Sequence, residues 1–118
     1  PNYLADSAHK ADILDLCMTM AMQLGPEAFL SQSEALASRP DQQDNLKLVT
    51  VPSLILCGKE DRLCPLDRHV LLAQLICGAR LEIIDGAGHL PTLEQPEATN
   101  TALRIWLDEA NTARALAP

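Results

Sequence analysis

Two short apolar runs constrain this chain more than anything else in it. Residues 51–58, VPSLILCG, and residues 80–85, RLEIID, are the only segments of the 118 that read as strands. The first is apolar on both faces, the pattern of a strand buried in a parallel sheet, and the second, with Leu81, Ile83 and Ile84, reads as its partner strand. Between them, residues 66–77, LDRHVLLAQLIC, place Val70, Leu71, Leu72, Leu75 and Ile76 at helical spacing, with Asp67 as the expected N-cap and Gly78 as the stop. Strand, helix and strand make a βαβ unit, with parallel strands and a right-handed crossover. Two parallel strands alone leave two unpaired edges and too little sheet to cover the helices around them. The chain is therefore expected to be a portion of a larger sheet, or to pair with another copy of itself. It begins at Pro1 and not at Met, which fits a segment removed from its front.

The rest reads as helix and loop. Residues 7–24 carry Ile13, Leu14, Cys17, Met18, Ala21 and Met22 on one face, with Ser7 as the expected N-cap and Gly25 as the stop. Pro26 opens a second helix over 26–38, which ends at Arg39-Pro40. Residues 39–46 read as a surface link, 59–65 and 86–95 as loops. Pro96 opens a last helix over 96–116, with Leu103, Trp106 and Leu107 on its apolar stripe and Trp106 as its anchor. The methionines Met18, Met20 and Met22 are read first as packing and second as the lining of a pocket.

Charge removes some classes of function. A net charge of -7 argues against nucleic acid, whose phosphates call for clustered Lys and Arg. No basic amphipathic helix and no apolar stretch near ~18 residues marks a membrane partner, and the polar start PNYLADSAHK is no signal peptide. Cys17, Cys57, Cys64 and Cys77 form no C-x-x-C pair. Cys57 and Cys77 read as small buried hydrophobes, so a reducing cytoplasm is expected and no metal site or cofactor.

The chemistry is expected where open α/β sheets keep it, beyond the carboxyl ends of the strands. His89 stands there in GAGHLP, and Asp61 in GKED, three residues after Gly58. Adjacent parallel strands would bring both to one edge. A carboxylate beside an imidazole orients the ring, fixes its tautomer and stabilises the imidazolium. Gly86 and Gly88 are expected to allow a tight turn and a close approach to substrate. Asp85 is the nearest competitor for the acid, read more simply as capping the turn after its strand. His69 and His9 read as surface residues. Neither Cys57 nor Cys64 lies in a nucleophile elbow, and Cys57 reads as an inert buried thiol.

VPSLILCGKEDRLCP followed by GARLEIIDGAGHLPTLEQPEATNTALRIWL resembles the C-terminal part of the α/β-hydrolase fold, most closely its bacterial esterase and enol-lactonase-like branch. The resemblance covers nearly the whole chain and is sharpest over residues 51–107. It implies a partial α/β-hydrolase fold: residues 1–45 the end of a helical cap, residues 46–118 the last part of the core. It implies Asp61 as the acid and His89 as the base of a nucleophile–acid–histidine order. No G-x-S-x-G occurs in the chain, so the nucleophile, the oxyanion loop and the first six strands are expected upstream of Pro1. The substrate class implied is a small carboxylic ester or lactone. The expected partner is the chain's own N-terminal half or a second copy. Two other readings are open: a non-catalytic module that associates through its strand edge, and a two-chain enzyme with the nucleophile supplied in trans.

Overall fold

The computed structural model describes residues 3–115. Along the chain run α1 (Lys10–Ala37), α2 (Gln43–Leu46), β1 (Leu54–Gly58), α3 (Leu66–Leu75), β2 (Arg80–Ile84), α4 (Pro91–Glu94) and α5 (Pro96–Ala115). Leu116, the expected end of the last helix, lies outside the described residues, as does Pro1. Among the described residues β1 and β2 form one parallel pair, in register from Leu54 opposite Arg80 to Gly58 opposite Ile84. Both α3 and α5 pack against this pair. Burial deepens toward the carboxyl ends, where Cys57, Gly58 and Ile84 are buried while the residues before them are mostly half-buried. The βαβ unit is as the sequence requires, and the site lies at its best-packed end.

The helix ends differ in detail. α1 begins at Lys10, with His9 in the N-cap position and no side-chain cap. Ser7 contributes only its carbonyl, which accepts the Lys10 amide at 3.3 Å. An ion pair from Lys10 Nζ to Asp6 at 2.7 Å spans the first turn instead of a capping hydroxyl. The expected break occurs at Gly25, whose φ of 79° and ψ of 174° interrupt the helical backbone before Pro26. α3 starts at Leu66 behind an extended Pro65, so Asp67 lies inside the first turn and caps nothing. It ends at Leu75, and Gly78 turns the chain toward β2 with a φ of 74°. The one-turn helices α2 and α4 fall in segments read as link and loop; four residues hold too little periodicity to show.

The buried stripe of α5 is displaced from the expected one. Thr99 and Ala102 are its deeply buried residues, while Leu103 and Leu107 are exposed. Trp106 is half-buried and donates its indole N–H to the Pro52 carbonyl at 3.2 Å, tying α5 to the entrance of β1. Thr99 faces α4, its hydroxyl donating to the Pro91 carbonyl at 2.9 Å.

α1 is largely uncovered. Ile13 is its single buried residue, and Met18 (64%), Met22 (75%) and Phe29 (69%) are mostly exposed. The methionines therefore neither pack nor line an enclosed pocket. Cys77 is exposed as well, unlike Cys57. The Cα radius of gyration is 16.6 Å, against about 13–14 Å for a compact chain of this length.

Candidate active site at the strand ends

The pairing of β1 with β2 continues past the strands and assembles the site. The Lys59 amide donates to the Ile84 carbonyl and the Glu60 amide to the Ala87 carbonyl, both at 2.9 Å. These bonds carry the chain after β1 along the chain after β2, so that Asp61 and His89 face each other. His89 Nδ1 lies 2.9 Å from Asp61 Oδ2. The approach needs glycine at two places. A Cβ on Gly58 would collide with the Ala87 and Gly88 carbonyls, and one on Gly88 with the Tyr3 carbonyl and the Ala5 amide. Gly86, at a φ of 70°, makes the turn. The close approach expected at Gly88 is thus to the chain's own residues 3–5.

Asp61 is fixed on both of its oxygens. Oδ1 accepts the Leu63 and Cys64 amides at 2.9 Å each, and Oδ2 meets the histidine. Its side chain is 4% exposed and that of His89 33%. Burial pushes the Asp61 carboxyl up, but the Cys64 amide, the histidine and the Leu63 amide together outweigh it and hold it below the usual carboxylate value. A charged Asp61 favours the tautomer with the proton on Nδ1 and leaves Nε2 free to take a proton from a reacting group.

Asp85, the competing acid, spends its exposed carboxylate on Lys59 at 2.7 Å. His69 is half-buried, with Nδ1 3.3 Å from the Pro65 carbonyl; His9 is exposed. Cys57 is 2% exposed, and burial, then the Asp61 charge, push its thiol up, away from the reactive thiolate. Among the described residues no three His, Cys, Asp or Glu side chains gather to hold a metal ion, and no helix is long and apolar enough to cross a membrane.

Two neighbours escaped the sequence reading. Tyr3 sets its ring edge-on to His89 at 6.5 Å between centroids, and its carbonyl accepts the His89 amide at 2.6 Å. Glu94, 7% exposed, accepts the amides of Ala5, Gly88 and Leu90 at 2.6–3.0 Å. The only signal for it was an acid five residues after His89, inside a segment read as loop.

No family model matches the chain. The comparisons with known proteins nevertheless agree with one another. A thermophilic esterase from Thermogutta terrifontis superposes with a TM-score of 0.61 at 38% identity, over 63% of this chain and 27% of that one. The fold is therefore that of an α/β-hydrolase, and the chain corresponds to its C-terminal part. Its likeness falls among the esterases and enol-lactonases of that fold. The 3-oxoadipate enol-lactonase 2 of Acinetobacter baylyi is 27% identical over 111 residues, 94% of this chain and 40% of that protein. The enol-lactonase of Burkholderia xenovorans LB400 shares the fold at a TM-score of 0.76, with 23% identity over 92% of this chain and 42% of its own. The chain spans less than half the length of the curated relatives it matches.

Proposed function

We propose that this chain supplies the general base and its orienting acid to a hydrolase of small carboxylic esters or lactones. The observation that carries the reading is the 2.9 Å contact between His89 and a buried, amide-bound Asp61 at the carboxyl ends of two parallel strands. A serine outside residues 1–118 attacks the carbonyl carbon, and His89 Nε2 takes its proton. His89 returns that proton to the leaving oxygen, and water, activated by the same nitrogen, hydrolyses the acyl-enzyme. Asp61 stays ionised throughout and holds the imidazolium. The relay uses no metal and no cofactor. Residues 1–45 act as part of a cap over the substrate, and residues 46–118 as core. The relatives' names, enol-lactonase and esterase, support the substrate class.

A serine-directed fluorophosphonate tests this, because it reacts where a base has activated the hydroxyl. The protein encoded by the whole reading frame is expected to label, and its His89→Ala variant to lose the label. Equal labelling of the two would remove His89 from the mechanism.

The uncovered α1 face and the outer edges of the β1–β2 pair, which bond no further strand among the described residues, favour a second reading, a non-catalytic module that associates through those surfaces. The encoded sequence before Pro1 separates the two. A segment bearing G-x-S-x-G supports the hydrolase; a start codon directly before Pro1 supports the module.

A further inference from the structure

We infer that Glu94 is a positioning residue for His89, acting through the backbone on either side of it; the inference rests on His89 being the base. Glu94 ends the one-turn helix α4, five residues beyond the histidine. Its carboxylate is buried and touches no cation among the described residues; its partners are backbone amides. Oε1 accepts Ala5 at 2.6 Å, both oxygens accept Gly88 at 3.0 Å, and Oε2 accepts Leu90 at 2.9 Å. Four bonds fill the acceptor capacity of an ionised carboxylate.

The arrangement grips His89 without touching its ring. The amides of residues 88 and 90 are tied to one rigid group, and the amide of His89 itself points away to the Tyr3 carbonyl. Residues 3–5, which receive that bond, are tied to the same carboxylate through Ala5. Fixing the backbone at 88–90 fixes the direction from which the imidazole leaves it. With Nδ1 held by Asp61, the direction of Nε2 is then set as well. A misplacement of about 1 Å in such a group costs on the order of 10²-fold in rate, so a second support for the base has a function beyond stability. Glutamine has the same shape but cannot replace the acid. One of its two ends is an NH2, which would confront the Gly88 amide and either Ala5 or Leu90, donor against donor.

The test reads His89 directly, in the protein encoded by the whole reading frame, labelled with nitrogen-15, at a pH of about 8, where an ordinary histidine is neutral. The ring nitrogen shifts report the tautomer, and a downfield Nδ1 proton reports the bond to Asp61. Wild type is expected to show a single Nδ1–H tautomer with that proton visible, and Asp61→Asn to lose both. In Glu94→Gln the downfield proton is expected to disappear and the tautomers to mix. Gln95→Ala removes a bond to the Gly86 carbonyl (3.1 Å) from the same loop and is expected to keep the wild-type signature. A Glu94→Gln spectrum identical to wild type overturns the inference while leaving the Asp61–His89 relay intact. A wild-type chain with no Asp61-dependent signal overturns the relay and the inference with it. Should Glu94→Gln fail to fold, hydrogen exchange in wild type decides: slow exchange at Ala5, Gly88 and Leu90 supports the clamp, and exchange at the unprotected rate overturns it.

Discussion

Asp61 concentrates the physics of the site in one side chain. Burial alone would neutralise it; two amides and the histidine keep it charged. Its folded acid constant lies below that of an unfolded aspartate, so it contributes stability above the unfolded value of about 3.9 and loses it as pH falls through the lower folded value. Thermal melts of wild type and Asp61→Asn are therefore expected to differ above about pH 4 and to draw together as the pH falls below it. A margin that did not shrink below about pH 4 would contradict the assignment. Asp85→Asn is expected to leave the His89 ring shifts unchanged, because that carboxylate is exposed and committed to Lys59. Asp61 and His89 were legible because glycines mark both strand ends and reactive groups gather there. Glu94 was not, since its burial depends on the Ala5 amide, 89 positions away. The cap expected of Asp67 was lost when Pro65 opened α3.

At the scale of elements, glycine and small residues decide how closely the layers approach. Gly58→Ala places a methyl group against two backbone carbonyls that cannot rotate away. A destabilisation near the top of the about 1–3 kcal/mol range for overpacking, or beyond it, is expected in urea titrations. A change under about 0.5 kcal/mol would mean that the two loops can separate freely. The buried stripe of α5 is displaced from the one hydropathy selects: Leu103 and Leu107 are exposed, while Thr99 and Ala102 are buried and Trp106 half-buried. Ala102→Leu is expected to destabilise the chain, and Leu103→Ala to change its melting temperature little. The parallel pairing of the two strands was legible from the strand–helix–strand order, but their register was not, and both strands are shorter than the runs that announced them; the face of α5 was not legible, because amphipathicity is weak where large apolar residues remain uncovered.

The whole molecule carries the imprint of something larger. Among the described residues, a sheet of two strands, an uncovered α1 and a radius of gyration above the compact value leave apolar surface facing water. Sedimentation of the 118-residue chain is expected to show species heavier than its 12.8 kDa monomer, increasing with concentration. A monodisperse monomer at high concentration would mean that these surfaces are tolerated in water. Fold does not by itself dictate reaction, since one architecture hosts many chemistries. The functional reading therefore stands on the site. Its most direct test is the rate of short-chain p-nitrophenyl ester and small-lactone hydrolysis by the whole encoded protein, beside His89→Ala and Asp61→Asn. Turnover in the wild type is expected, with kcat lower by about 10⁴-fold or more in both variants and little change in KM. Equal rates in all three proteins would contradict the claim that His89 and Asp61 form the base and acid of a hydrolase.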